Sequence, residues 1–366
     1  VAERAARGAT VTQTIPSEST FTPPSINAGA WFPGRAFDVS IGGGLKVATV
    51  RMVAAGDDGA VYVLANLNGD STSHPIKGAR DVALLKYDAA GKLVFSETLG
   101  AAQSAEGFAI AVSSDGKVAV AGAVEGELSG GERATGGTDG FVAVFNANGE
   151  ELWTARRGAA ADDRVNAVSF GPGGAVIVAG QTASALTGQT ALGGKDGFVR
   201  GYSAAGAELF TRQFGSGADD AATALMVRDD GAGGMQIVTG GVENNRGILR
   251  RFDYGSSTGF SVGATRDIGL FLGGAINALA ANGTALYVAG EVGADRLDVG
   301  VSARASSAGQ EGFVARMDVG LSSTTIDRTT YLGSAQSDAV KSLAVVDGEV
   351  YAAGAAGGVF AAQGNG

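Results

Sequence analysis

The stretch "DGFVAVFNANGEELW", from Asp139 to Trp153, decides the fold, because the chain repeats it as "DGFVRGYSAAGAELF" from Asp196 to Phe210. Each copy contains two apolar runs of strand length, separated by a turn that contains glycine. This is the pattern of a β-hairpin. Self-similarity of this kind indicates a repeat architecture, so the chain should consist of many similar units.

A second kind of hairpin alternates with the first. It has an apolar run such as "VNAVSF", a turn such as "PGG", and another apolar run such as "AVIVAG". Six such hairpins follow one another along the chain, and each is followed by a copy, sometimes a degenerate one, of the opening phrase. One unit therefore has four short strands in about 50–65 residues, which is typical of a β-propeller blade. The sequence predicts an all-β fold, a propeller of six four-stranded blades.

The sixth unit ends at "GVFAAQGNG" without a fourth strand, and the segment "AFDVSIGGG" near the N-terminus offers one. In that segment Phe37, Val39 and Ile41 alternate with polar residues, as in a half-buried strand. We therefore expect residues 36–366 to form a ring closed by an N-terminal outer strand. Closure of this kind removes exposed sheet edges.

Residues 1–35 do not fit the repeat. They contain four of the six prolines, together with many serines and threonines. Proline is excluded from central strands, so this segment is predicted to be an extended arm or linker. Trp31 has no counterpart in the repeat. It is a candidate anchor for docking the arm, and a flexible tail is the alternative.

The repeated order of Asp-Gly-Phe-Val, Asn-Gly, Leu-Trp, a Gly or Asp-Asp loop and "AVIVAG" resembles the bacterial Seven Bladed Beta Propeller (SBBP) repeat family. The resemblance covers roughly residues 36–366. It implies a bacterial protein located outside the cytoplasm, often as part of a larger adhesive or surface protein, and it implies no single activity. The family name makes seven blades the alternative to the six counted.

Composition limits the classes of function. The chain has 37 acidic and 27 basic residues, a formal net charge of −10, no cysteine and one histidine. Nucleic acid is a poor partner for such a charge, and no apolar run approaches the roughly 20 residues that span a bilayer. The histidine, His74, lies beside Pro75 in a long connection and is expected to be a solvated loop residue. The sequence therefore predicts no enzyme and no cofactor.

Acidic residues precede the first strand of several units, where they would ring the mouth of a central channel. They are Glu106, Asp162, Asp163, Asp219, Asp220 and Asp338. One reading is that each carboxylate braces a turn by accepting backbone N–H groups. One carboxylate suffices for that role, so the paired acids in "ADDR" and "ADDA" leave room for Ca²⁺ or a basic partner segment. The calcium site is the minority hypothesis.

The connections between the second and third strands are long and differ from one another, as binding loops on a rigid scaffold do. They are Asn66–Arg80, Ala123–Thr138, Gln181–Lys195 and Glu291–Gln310. The leading hypothesis is a non-catalytic scaffold or protein-interaction module of an exported surface or appendage protein, of the flagellar, S-layer or adhesin type. It would bind a protein partner, or other domains of the same polypeptide, outside the cell, at the cell surface or in the periplasm. The alternatives are a lyase or glycoside hydrolase that uses Asp162, Asp163 and Arg164, and a glycan-binding propeller.

Overall fold

The first four repeat units each form an antiparallel sheet of four strands, in which every strand pairs with the one before it in the chain. The computed structural model describes residues 45, 47–69, 76–127, 135–293, 297–302, 310–334 and 336–358. The sixteen strands of these sheets are β1 (Val47–Ala55), β2 (Val61–Leu67), β3 (Asp81–Tyr87), β4 (Leu93–Gly100), β5 (Ser104–Val112), β6 (Val118–Glu125), β7 (Thr138–Phe145), β8 (Glu151–Arg157), β9 (Asp163–Phe170), β10 (Val176–Thr182), β11 (Asp196–Tyr202), β12 (Glu208–Phe214), β13 (Asp220–Asp229), β14 (Gly234–Glu243), β15 (Arg246–Gly255) and β16 (Gly259–Leu270).

The fifth and sixth sheets depart from this plan. The fifth has the order β17-β18-β20-β21-β19, because a two-residue strand pairs parallel to its outer strand. The sixth consists of two strands within the described residues. The strands are β17 (Ala275–Asn282), β18 (Ala285–Val292), β19 (Val301–Ser302), β20 (Glu311–Asp318), β21 (Arg328–Leu332), β22 (Asp338–Val346) and β23 (Glu349–Ala356).

The turns within each hairpin depend on glycine, as the sequence predicts. Gly59 and Gly116 follow first strands, and Gly149 and Gly206 follow third strands. All four have φ between 80° and 91°. Residues with a Cβ avoid this left-handed region, so glycine is the residue that closes these turns without strain.

The hydrophobic core lies between successive sheets. On β6, Val120 faces the first sheet and packs in one cluster with Tyr62 and Leu64. Its neighbours Ala119 and Ala121 face the third sheet and pack with Val176 and Val178. Because side chains alternate along a strand, each inner strand supplies both clusters, and its sequence is apolar throughout.

The first strands of all six sheets face one another around a central cavity of about 610 Å³. Adjacent pairs among them are in contact: β1 with β5, β5 with β9, β9 with β13, β13 with β17, and β17 with β22. Each sheet therefore presents its first strand to the cavity. This arrangement is compatible with a propeller.

The nearly all-β fold is confirmed, since the described residues outside the strands contain one three-residue 3₁₀ turn, at Pro172–Gly174. Trp31, His74 and the predicted closing strand, with Phe37, Val39 and Ile41, lie outside the described residues. The number of blades and the closure therefore stay predictions. Within the ranges that the structure describes, no helix is long and apolar enough to cross a membrane.

Candidate functional site

The long connections between second and third strands lie on one face, next to the connections that join one sheet to the next. Hydrogen bonds join the two kinds of loop. The N–H of Ala79 donates to the carbonyl of Gln103 at 2.7 Å, and the N–H of Ala183 donates to the carbonyl of Asp162 at 2.9 Å. The predicted acidic residues lie among these loops, so this loop face is the candidate site.

A buried aspartate is the first or second residue of the third strand in each of the first three sheets: Asp81, Asp139 and Asp196. In each case the carboxylate accepts the backbone N–H of the residue four positions earlier, at 2.8 to 3.1 Å. Asp139 also forms a buried ion pair with Arg156 on the fourth strand. The Asp of the repeated Asp-Gly-Phe-Val phrase therefore closes the end of the preceding loop.

The same arrangement recurs at the first strands of the third, fourth and sixth sheets. Asp163, Asp220 and Asp338 each accept the N–H of the residue four positions earlier. Asp220 and Asp338 use their other oxygen to accept the N–H groups of Asn244 and Gly357, at the far end of the second strand. Asp220 and Asp338 thus each hold their own loop and the end of the neighbouring strand.

Asp163 and Asp139 approach each other across Gly158. A Cβ at Gly158 would lie 1.8 Å from Oδ1 of Asp139 and 2.9 Å from Oδ2 of Asp163, so glycine is required there. Burial raises the pKa of Asp163, and the nearby negative charge of Asp139 raises it further. Two carboxylates therefore share one glycine-lined gap between the second and third sheets.

The first acid of each Asp-Asp pair has a different backbone partner. Asp162 and Asp219 are exposed, and their Oδ1 atoms accept the N–H groups of Thr138 and Lys195, both at 3.0 Å. Each donor begins or precedes a third strand, 24 residues before its acceptor in sequence. Both acids of a pair are therefore used to hold loops together.

These contacts differ from the predicted acidic rim at the channel mouth in two respects. Asp163, Asp220 and Asp338 are each 2% exposed, so they lie inside the loop layer. The second acid of a pair is also needed by the repeat, because each member holds a different loop. Among the described residues no group of three or more His, Asp or Glu side chains forms a potential metal site. The calcium hypothesis is untested by this geometry.

Glu106, Asp162 and Asp163 do come together, in a side cavity of about 360 Å³ between the second and third sheets. Glu125, Arg164 and Lys195 also line it. Glu106 forms an ion pair with Arg80. Partial burial of the Arg164 guanidinium and the positive charge of nearby Arg51 lower the pKa of Arg164. The structure does not bring Asp219, Asp220 or Asp338 into this cavity.

The central cavity has a feature that the sequence analysis missed, a β-bulge at an equivalent position of every first strand. The pairing of each first strand with its second strand skips one residue, which therefore bulges out of the regular ladder. Bulges redirect side chains, and all six bulged residues line the cavity. They are Arg51, Phe108, Asn166, Thr223, Asn277 and Lys341.

Three of the bulged side chains link neighbouring sheets. Asn166 donates to the carbonyl of Ala222 at 2.9 Å, and Thr223 donates to that of Ile276 at 2.6 Å. Asn277 donates to the carbonyl of Val340 at 2.8 Å. In each case the acceptor immediately precedes the next bulged residue. The signal in the sequence was a polar residue at one position of an otherwise apolar strand.

Sequence comparison gives one informative relative. No model of a known protein family matches the chain. The chain is 35% identical over 375 aligned residues to a protein named Regulatory protein FlaEY from Caulobacter vibrioides (strain ATCC 19089 / CIP 103742 / CB 15). The match covers 90% of this chain and 39% of the relative, so the chain spans about two fifths of the relative's length. That name agrees with the prediction that the chain is not an enzyme.

Structure comparison gives distant matches. One is titled "Crystal structure of the eukaryotic initiation factor", with 9% identity, a TM-score of 0.37, and coverage of 75% of this chain and 53% of the other. Another is titled "Structure of a new family of Polysaccharide lyase PL25-Ulvanlyase bound to -[GlcA(1-4)Rha3S]-", with 12% identity, a TM-score of 0.36, and coverage of 78% and 64%. Similarity at this level supports no inference about function.

Proposed function

We propose that the chain is a non-catalytic β-propeller of six blades that serves as a protein-interaction module in an exported bacterial surface or appendage protein. The observation that supports it best is the single central cavity, to which all six sheets contribute their first strands. Six sheets related in this way around one cavity match the geometry of a propeller. The SBBP resemblance is part of the same proposal.

Closure of the ring is part of the proposal. The sixth sheet has two strands within the described residues, and the side chains of Ala352 to Ala356 on β23 are exposed. The equivalent strands β2, β6 and β10 are almost entirely buried. We infer that β23 is an inner strand whose missing neighbours come from residues 358–366 and from the segment of Phe37, Val39 and Ile41.

The non-catalytic role is supported by what the loop carboxylates do. Asp163, Asp220 and Asp338 accept backbone N–H groups, and Asp162 and Asp219 do the same at the surface. A hydrolase of the kind considered above needs two carboxylates that face the substrate. The name of the FlaEY relative points in the same direction.

The binding surface is proposed to be the loop face. Its long connections differ from unit to unit, whereas the turns at the opposite ends of the strands are short and alike. Variable loops on a rigid scaffold are the usual location of binding residues. Since the chain covers 39% of its relative, we propose that it acts as one part of a longer polypeptide, with its partner outside the cytoplasm.

Site-specific photo-crosslinking tests this proposal. A photoreactive residue replaces Glu127, in a loop-face connection, and in a matched variant it replaces Asn148, in a turn at the opposite ends of the strands. Both are introduced into the full-length polypeptide in the bacterium that encodes it. We expect a discrete crosslinked protein from position 127 and none from position 148. Equal crosslinking from both positions, or none from either, would contradict a loop-face interaction module.

A further inference from the structure

Of the six bulged residues of the central cavity, three link neighbouring sheets by hydrogen bonds and three do not. Asn166, Thr223 and Asn277 each donate a hydrogen bond to the next sheet, and this accounts for their side chains. Phe108 has no polar group to donate. Arg51 and Lys341 are cations, in a protein whose formal net charge is −10. Lys341 forms an ion pair with Glu291, so its charge is balanced. Within the described ranges, neither a link to the next sheet nor an ion pair accounts for the side chains of Arg51 and Phe108.

Arg51 does not make the hydrogen bond to the next sheet that the bulged residues Asn166, Thr223 and Asn277 make. By analogy with Asn166, it would donate to the carbonyl of Gly107, which immediately precedes the bulged Phe108. Asn66 on β2 makes that hydrogen bond instead, at 3.4 Å, and accepts the N–H of Gly107 at 2.8 Å. The first and second sheets are therefore linked without Arg51, and its guanidinium is not needed for this link.

Arg51 and Arg164 meet at the ring of Phe108. Their guanidinium carbons lie over this ring, 5.1 Å and 4.2 Å from its centroid. Two like charges repel each other at such a place, and the aromatic face offsets this only in part. Among the described residues, neither guanidinium lies within ion-pair distance of a carboxylate. Arg164 also donates from its Nε to Oδ1 of Asn166 at 2.6 Å, and the negative charge of nearby Glu106 acts on it. The positive charge of the pair is therefore balanced only in part by the protein.

Phe108 lines both the central and the side cavity, so the two cavities meet there. On the side-cavity wall, Glu106 pairs with Arg80, and Asp162 accepts the N–H of Thr138. Glu125 and Asp163 also line this wall, together with Lys195. On the central side the wall is mixed: Met52, Ile110 and Leu343 supply apolar side chains beside the polar bulged residues, and no acidic residue lines it. A volume of about 610 Å³ is of the size that holds a small ligand.

We propose that the junction at Phe108 binds a carboxylate attached to an apolar body, with Arg51 and Arg164 as the cationic contacts. The guanidinium fork matches a carboxylate in shape and charge. The apolar body would lie against Met52, Ile110 and Leu343 in the central cavity. The carboxylate is that of a free small acid or of a polypeptide C-terminus, and both present the same group to the two arginines. This site does not depend on the loop-face partner proposed above.

Calorimetric titration of the intact chain with phenylpropionate tests the site, with the uncharged phenylpropionamide as the control ligand. We expect saturable binding of the acid that weakens as salt is added, and no binding of the amide. Arg51→Gln and Arg164→Gln should each weaken binding by about tenfold or more, because each removes a charge-assisted hydrogen bond. Arg316→Gln, an exposed arginine on β20, should leave the affinity unchanged.

A short peptide that ends in phenylalanine distinguishes the two sources of the carboxylate, when its free acid is compared with its amidated form. Tighter binding of the free-acid peptide than of phenylpropionate assigns the site to a polypeptide C-terminus, and weaker binding assigns it to a small acid. The proposal is overturned if neither acid binds, if acid and amide bind equally, or if Arg51→Gln behaves like Arg316→Gln. Unchanged circular dichroism spectra of the variants exclude loss of folding as the cause.

Discussion

The second and sixth sheets come from the same repeat, yet their second strands have different environments. β6 is buried from Val118 to Val124, whereas β23 is exposed from Ala352 to Ala356. The two strands have the same kind of sequence, rich in Val, Ala and Gly. The difference teaches that the repeat specifies a strand locally, whereas burial requires a third strand and a neighbouring sheet.

The largest expected effect tests what covers the sixth sheet. Deletion of residues 1–35 should leave the melting temperature unchanged. Deletion of residues 1–45 also removes Phe37, Val39 and Ile41 and should lower it. Burial of such side chains contributes about 1.5–3 kcal/mol each, or roughly 5–9 kcal/mol together. This rivals the 5–15 kcal/mol that is typical of a whole domain. Equal melting curves for the two truncations would show that another segment covers β23.

The buried ion pair between Asp139 and Arg156 tests how much burial contributes to the stability of the second sheet. Asp139→Ala removes the carboxylate from its buried pair with Arg156, in which the two side chains are 0% and 2% exposed. Removal of one partner of such a pair costs about 3–5 kcal/mol. Urea denaturation should show this loss. Asp115→Ala, which removes an exposed turn aspartate of the same sheet, is the control and should cost far less.

Gly158 tests how tightly the loops between sheets are packed. Gly158→Ala forces a methyl group between Asp139 and Asp163, and overpacking of this kind costs about 1–3 kcal/mol. Gly217 occupies a similar connection between the third and fourth sheets, and nothing lies within 4 Å of a Cβ built there. Gly217→Ala should therefore be neutral in the same denaturation experiment. A similar loss for both variants would contradict the proposed crowding.

A smaller effect is expected from the titration of Asp163. Its pKa is raised in the folded protein, so the stability that it contributes is present at acid pH and is lost as the pH rises through the folded pKa. Asp163→Asn removes this titration. The stability difference between wild type and variant should therefore fall as the pH rises from about 4 to about 7. A difference independent of pH would mean that the carboxyl titrates alike in the folded and unfolded chains.

The smallest effects are expected at the exposed acids. Asp162→Asn and Asp219→Asn retain an oxygen that accepts a backbone N–H, so each should change stability by less than about 0.5 kcal/mol. Millimolar calcium added after EDTA should then shift the melting temperature little. A large upward shift with calcium that both substitutions abolish would establish the minority hypothesis of a calcium site.

The sequence sufficed for the strands because each has local signals. The apolar runs, the turn glycines and the Asp-Gly-Phe-Val phrase all act within one unit, and the structure places the strands where these signals predict. Trp153, which ends the opening phrase, packs against the next sheet, with ring centroids 5.6 Å apart between its indole and Tyr202. Such contacts repeat with the unit, so they are readable from sequence alone.

The candidate site was less predictable because it depends on contacts between units. Nothing within "ADDR" reveals that Asp162 holds Thr138 while Asp163 turns inward. The meeting of Arg51 and Arg164 at Phe108 involves three different sheets, so no single unit of the sequence reveals it. The acids stood out because they were charged and repeated, whereas the arginines occur once each.

The links between first strands have a consequence for how such a protein grows by gene duplication. Asn166, Thr223 and Asn277 all donate to a main-chain carbonyl of the following unit. Every unit has this carbonyl whatever its side chains are, so the link imposes no matching between neighbours. A duplicated unit inserted between two others could donate to the main-chain carbonyl of the unit after it, and its own carbonyl could accept from the unit before it. Units joined in this way are free to diverge in sequence without losing the contact that orders them.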